Sequence, residues 1–444
     1  MFRMPRTVFI YCLFCVLTLP RPTFSQDVAT SPELTNPSLE SAPETPDTES
    51  SSESMDADEE IIPISQEGAA VSPEFRRLHY ELRLDLRGVY DDNIGLSSFD
   101  PISDYYFRID PAIMIAFGDI TSRDANFIRF EYDPDIVFFL DHSSFNTFQN
   151  VIHLDGRVAF SRLTLSLSEV VQLLNGSDVN QAGTNGTFVN AVNLDVRGQP
   201  RVNMFNTQLN ADYQLAGKTS LSVGLQSSIA DYSGSLVSSQ MILGNVYVNY
   251  TYSPKLTIGL GGAVGRQFVD QPTPNQTFEQ GNVRIGYEIT GKLLANVSAG
   301  LEFRQFDSGQ GGYISPVFQG TLSYTPFDGT AFSLIGSTST TSSASLAGQD
   351  FTSTQLVASV RQRFFDRFFV SLTGGYQNLH YIDTIGVIVA TRDDDYYFIQ
   401  PAIDVRIMRF WYAGGYYLRR QNNSSASFFG FVESQSGLRA TLTF

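Results

Sequence analysis

Apolar and polar residues alternate along most of this chain. Leu78, Tyr80, Leu82, Leu84 and Leu86 form one face of a segment whose other face is His79, Glu81, Arg83, Asp85 and Arg87. Toward the end, Ile399, Ile403, Val405 and Ile407 oppose Gln400, Asp404 and Arg406. A two-residue period marks a β-strand with two unlike faces. The pattern predicts about 18 such strands, many of roughly 12 to 15 residues, against the five or six usual in globular domains. After the first 25 residues no apolar run is long enough to cross a bilayer as a helix. Alternation alone fits a soluble sandwich, or a membrane barrel with lipid outside and water inside.

Strand length and turns separate the two. Tight connections are predicted near Ser161, Gly217, Pro254, Gly291, Asp328, Asp366 and Met408. Longer ones fall between them, near residues 91–103, 173–199, 233–240, 269–276, 383–392 and 422–427. Short turns on one rim and long loops on the other are the pattern of outer-membrane barrels. A repeat supports it. The three lysines, Lys218, Lys255 and Lys292, stand 37 residues apart; Tyr213, Tyr250 and Tyr287 each precede one by five, and Tyr324 continues the series. Such a period means one hairpin copied side by side, and a row of hairpins must close or expose its edges. After Lys255 the register assigns Leu256, Ile258 and Leu260 to lipid, and Thr257 and Gly259 to the lumen.

The ends add an address. Arg3 and Arg6 followed by the apolar stretch Val8 to Leu19 read as a signal peptide over residues 1–25, cleaved near Ser25–Gln26. Cys12 and Cys15 both lie inside it, with no lipobox-like small residues before either. The mature chain then has no disulfide, thiolate site or cysteine nucleophile. Residues 26–73 hold 12 acidic residues, no Lys or Arg and no aromatic. This Ser- and Pro-rich acidic stretch is predicted to be a disordered periplasmic tether. At 48 residues it is too short for the plug domain of a TonB-type transporter. The last residues, Leu438, Ala440, Leu442 and Phe444, alternate with Arg439, Thr441 and Thr443. They resemble the C-terminal β-signal that the barrel-assembly machinery reads.

Charge and aromatics refine the picture. From Glu74 onward the balance is −8, with no clustered basic face for nucleic acid. Phe and Tyr total 56 against a single Trp411. Tyr90, Tyr105, Tyr250 and Tyr287 stand near strand ends, where interfacial girdles form. Gly224, Gly259, Gly261 and Gly265 are assigned to the lumen face, where missing side chains ease curvature.

One stretch also resembles a known family. Gly88-Val89-Tyr90-Asp91-Asp92-Asn93-Ile94 closes the first strand, followed by Ser103-Asp104-Tyr105-Tyr106 and Asp110-Pro111. This order, with the tyrosine-plus-turn hairpins, is similar to the start of a family of bacterial outer-membrane β-barrel porins. The resemblance spans roughly Phe75 to Phe444. It implies an outer-membrane channel and leaves the substrate open.

The candidate chemistry is sparse. The histidines are His79, His142, His153 and His380, and no G-x-S-x-G motif occurs. His153 and Asp155 share a face and could form an acid–base pair, but no third group completes a catalytic cluster. The expectation is no enzyme and no cofactor. Asp91-Asp92-Asn93 and Asp393-Asp394-Asp395 could hold a hard cation, yet lack an EF-hand spacing and read better as solvated loop acid. The lumen face says more. Arg83, Arg87, Arg129 and Arg157 interleave with Glu81, Asp85, Glu131 and Asp155 over what reads as four consecutive strands. Such a wall either sets up a transverse field that orients polar solutes or pairs across strands as bracing. The longest loop, residues 175–200, is the third long one. In general porins that loop narrows the pore; its Asn-, Gly- and Thr-rich composition fits an exposed, mobile loop slightly better.

Together these readings predict an all-β, up-and-down antiparallel transmembrane barrel over residues 74–444, of 16 to 20 strands with 18 the central count. The leading functional expectation is a porin-like channel for small polar solutes or ions. A polysaccharide exit channel and a structural or adhesive barrel are the alternatives. The expected partners are outer-membrane lipid and the assembly machinery, with homo-oligomerisation left open.

Overall fold

The structure, a computed structural model, describes residues 78–120, 125–175, 192–196, 198, 200–309, 311–386 and 391–444. The signal peptide and tether assigned to residues 1–25 and 26–73 lie outside the described residues. Nine strands make the first half of the ring: β1 (Leu78–Asp91), β2 (Asp104–Gly118), β3 (Phe127–Phe139), β4 (Thr147–Ala159), β5 (Leu163–Asn175), β6 (Arg201–Ala216), β7 (Thr219–Tyr232), β8 (Ser239–Ser253) and β9 (Leu256–Val269). Nine more complete it: β10 (Gln276–Thr290), β11 (Leu293–Phe306), β12 (Tyr313–Tyr324), β13 (Thr330–Ser342), β14 (Gln349–Phe364), β15 (Phe368–Asp383), β16 (Asp393–Met408), β17 (Trp411–Ser424) and β18 (Phe431–Thr443). Each pairs antiparallel with the next, and β18 returns to β1, so the sheet closes into an 18-stranded barrel. At the closure Leu82 and Phe444 exchange both backbone hydrogen bonds, at 3.0 and 2.8 Å.

The two-residue period becomes two surfaces. Leu82, Phe107, Val246, Leu301, Leu372 and Ile403 point outward and are exposed. Their chain neighbours point into the barrel. An outer surface this apolar around the whole ring needs lipid against it. Along β9, Ile258 and Leu260 are exposed outward, while Thr257 and Gly259 are buried inward, the register the sequence specifies.

The repeat acquires a physical cause. Tyr213, Tyr250, Tyr287 and Tyr324 all stand outward near the short-turn ends of β6, β8, β10 and β12. The lysine that follows each of the first three lies in the turn, and its carbonyl accepts the N–H of the next hairpin. Thr251 bonds Lys218, Glu288 bonds Lys255 and Thr325 bonds Lys292, at 2.8, 2.9 and 2.8 Å. Two of the ammonium groups reach the same way, Lys292 Nζ donating to the Pro326 carbonyl at 2.8 Å and Lys255 Nζ to the Ile289 carbonyl at 3.4 Å. Tyr90 and Tyr105 make the opposite, long-loop rim, their ring centroids 4.8 Å apart.

The four lumen glycines face inward, for a sharper reason than curvature. A Cβ on Gly261 would sit 2.3 Å from the Tyr247 ring, and one on Gly265 2.3 Å from the Phe278 ring. Gly224 makes the same room for Asn245, and Gly259 for Asn249 and Arg284. Each vacated site holds a large inward side chain from the next strand.

Candidate functional site

The inner wall of the first strands carries dense charge. Glu81, Arg83, Asp85 and Arg87 lie on β1, Arg129 and Glu131 on β3, and Asp155 and Arg157 on β4, all on the inward face. The set occupies three strands rather than four. The strand between them, β2, supplies Arg108 and Asp110, which were not among the expected lumen charges; nor were Asp133, Asp135, Asp404 and Arg439, although alternation had set the last two on polar faces. Direct neighbours across β1 and β2 are of like charge, Asp85 opposite Asp110 and Arg87 opposite Arg108. Opposite charges on the diagonals offset this. Arg87 lies 3.5 Å from Asp110, and Arg108 lies 3.0 Å from both Asp110 and Asp135. Arg83 reaches Asp133 at 3.0 Å and Asp85 at 3.5 Å, and Arg129 reaches Asp155 at 2.9 Å. On the far side of the closure Arg439 clasps Asp404 across β18 and β16. The pairs brace the wall and leave a lumen surface of both signs.

The other candidates resolve differently. His153 and Asp155 both face inward, but the Asp155 carboxylate is taken by Arg129 and by the Ser168 hydroxyl at 2.8 Å. The acidic triplets are only in part solvated loop acid: Asp393 is half exposed, but the others are drawn in. Asp91 is fully buried; it accepts the Asn93 N–H at 2.7 Å and the Gln435 amide at 3.0 Å. Asp92 accepts the Ser434 N–H at 2.6 Å. Asp394, also fully buried, pairs with Arg392; Asp395 accepts from Tyr376 at 2.7 Å, and Asp393 bonds His380. Among the described residues no group of three or more acidic, His or Cys side chains is placed to hold a metal ion. The acids instead tie the long-loop rim together, Asp91 and Asp394 partly through Asn93 and Arg392 close by, and the set otherwise through Gln435, Ser434, Tyr376 and His380 of other strands.

The mouth holds the feature with most consequence. Residues 176–191 of the β5–β6 loop lie outside the described residues, but its returning limb at 192–196 is placed, and it is buried. This corrects the exposed-loop expectation for that limb. Asp195 reaches the β13–β14 loop and β15, half-way round the ring. Its carboxylate accepts the Ser343 hydroxyl at 2.7 Å, the Ala344 N–H at 2.6 Å, the Ser345 hydroxyl at 3.0 Å and the Tyr381 hydroxyl at 3.0 Å. Beside it the Leu194 carbonyl accepts from Arg392. Val192 and Leu194 pack into an apolar cluster with Leu379, Tyr381, Tyr396 and Phe398 of the facing wall, joined by Leu96 of the first loop. The β13–β14 loop meets its other neighbours too: the Ala344 carbonyl accepts the Val237 N–H at 2.9 Å, and the Gly348 N–H donates to Thr273 at 2.8 Å. The limb at 192–196 of the third loop therefore docks on the opposite side of the mouth.

No protein-family model and no curated protein sequence matches this chain. Its fold is similar to the outer membrane protein OpdK from Pseudomonas aeruginosa, at 11% identity over 84% of this chain and 100% of that one, with a TM-score of 0.42. A structure of OpdK with vanillate gives 0.43 at the same identity and coverage. OccAB3 from Acinetobacter baumannii gives 0.44 at 9% identity, over 82% of this chain and 99% of its own. Likeness at this level carries nothing about what this chain transports, and the barrel stands on its own strand pairing.

Proposed function

We propose that this chain is an outer-membrane channel for passive diffusion of small polar solutes or ions, narrowed at its mouth by the third loop. The observation that carries it is the docking of Asp195 across an otherwise wide ring. An 18-stranded barrel leaves an aqueous lumen unless loops fill it, and here the limb at 192–196 docks at the mouth above a wall of both charges. That wall suits polar solutes, which it can orient. The apolar exterior and the rim of short turns support an outer-membrane setting with the long loops outside. Purified barrel in a planar bilayer should show stepwise conductance in simple salt. Asp195→Ala removes the acceptor of the docking hydrogen bonds and should enlarge the steps, because the narrowest segment dominates the resistance. Unchanged steps would remove the loop from the pathway. Silence in both proteins would reject the channel.

A further inference from the structure

Among the described strands the ladder between β12 and β13 is the one that ends far short of its strands. The ladder between β12 and β13 runs from Tyr324–Phe332 to Phe318–Thr338 and stops. Beyond it, residues 313–317 of β12 pair with β11, and residues 339–342 of β13 pair with β14. Above the break the β13–β14 hairpin, still paired with β15 from Gln349–Asp383 onward, curls inward past β12. Thr340, Ser342 and Asp350 share a face with Thr338 and Thr354, the outward face lower down. Asp350 is nevertheless fully buried. This face presses on inward side chains of β10 and β11. Gln276 Nε2 donates to Ser342 Oγ at 3.1 Å and to Asp350 Oδ1 at 2.8 Å. Arg304 donates to Gln276 Oε1 at 2.7 Å and to the Thr340 carbonyl at 3.1 Å, and its Nη1 stands 3.8 Å from Asp350 Oδ2.

Both sides of the break suit an apolar guest. Outside, Ile314, Pro316 and Phe318 are exposed on β12, and Pro316 has no N–H to leave unpaired at that edge. Inside, Met241, Leu243, Ala263 and Phe278 form a buried apolar cluster on β8 to β10. The latch lies directly against it, with the Arg304 guanidinium 4.9 Å from the Phe278 ring centroid. An unpaired strand edge at membrane depth is tolerated where protein covers it, and the inward hairpin is that cover.

We propose that the β12–β13 break is a lateral gate through which small apolar solutes leave the lumen for the surrounding lipid once the Arg304–Gln276–Asp350 latch releases the hairpin. A polar solute gains nothing by that exit, whereas an apolar one leaves water for hydrocarbon. The proposal rests on the membrane-channel reading above and adds a second route for a second class of solute.

The test bridges the latch. Gln276→Cys and Ser342→Cys are combined in a background carrying Cys12→Ser and Cys15→Ser. The glutamine side chain spans the gap, so a direct disulfide would be too short, and a short reducible thiol cross-linker takes its place. Two readouts are compared: entry of N-phenylnaphthylamine, which fluoresces in hydrocarbon, into cells carrying the barrel, and single-channel conductance of the purified barrel. Bridging should reduce probe entry to the level of cells without the barrel, reduction should restore it, and ion conductance should persist throughout. Arg304→Gln, which weakens the latch, should speed probe entry. Probe entry indifferent to the bridge would overturn the gate. So would parallel loss of probe entry and conductance, which would make the hairpin an axial gate. A barrel that never conducts yet still passes the probe in a bridge-dependent way would keep the lateral gate and remove the axial channel.

Discussion

Side-chain direction in this barrel is set by parity and depth, and both are testable on β9. Ile258 lies opposite Tyr250 and so sits at the aromatic girdle near the short turns. Leu260, one pleat further along, is 68% exposed and lies opposite Val248 and Val283. Leu260→Arg should cost about 2–4 kcal/mol, the range for arginine near a bilayer midplane, and Ile258→Arg clearly less. An inward control, Ser220→Arg, should cost under about 1 kcal/mol, as substitutions away from packed or lipid-facing sites do. Denaturant titration in liposomes measures all three, and equal costs would reject the register. Parity was legible in the sequence because a period of two needs no knowledge of partners. Burial at the rim was not. Asp91 looks like loop acid until Gln435 arrives from β18, and Asp394 until Arg392, two residues before it, folds back onto its carboxylate.

Strands and tight turns could be read from the chain because each is a local event: alternation, a tyrosine, a turn, a lysine. Long loops could not, because their placement depends on what they meet across the ring. The signal in the third loop was present but faint. Val192, Leu194 and Val196 alternate within a polar stretch, and all three are buried. That is how a strand-like segment docks one face on a wall. Charge-assisted hydrogen bonds contribute about 1.5–3 kcal/mol each, so the Asp195 dock should be firm but divisible. Ser343→Ala and Ser345→Ala each remove one hydroxyl donor, and each should give conductance steps between those of the parent and Asp195→Ala. Combined with Asp195→Ala, either should add little further, because the partner is already gone. Additive effects in single-channel recordings would mean that the serines act independently of the dock. The β12–β13 break was illegible for the same reason: the polar run from Ser337 to Ser342 reads as a strand nearing its loop, and only the missing pairing partner marks where the hairpin turns inward.

At the scale of the whole molecule, a ring of hairpins is stable only when the last strand finds the first. Every other seam joins strands close in sequence, so its loop-closure entropy is small; the β1–β18 seam must close nearly the whole barrel chain. Its short-turn end depends on one residue. Phe444 trades two backbone hydrogen bonds with Leu82, and its ring stacks on Phe410 at a centroid distance of 5.6 Å. Deleting Phe444 removes both bonds and the stack, and with them the last rung of a seam that runs from Arg83–Thr443 to Asp91–Gln435. The deleted chain should lose the folded, fast-migrating band on unheated gels that marks a closed barrel, and collect as periplasmic aggregate or degradation product. Phe444→Tyr keeps the bonds and the ring and should assemble normally, whereas Phe444→Ala keeps the bonds alone and should fall between. That order separates closure from recognition of the terminal side chain. If deletion and Phe444→Ala fail equally, the aromatic ring is what the assembly machinery requires. If Phe444→Ala assembles like the parent, the backbone pairing at Leu82 carries the effect. Normal amounts of folded barrel after the deletion would show that the seam closes without its last rung.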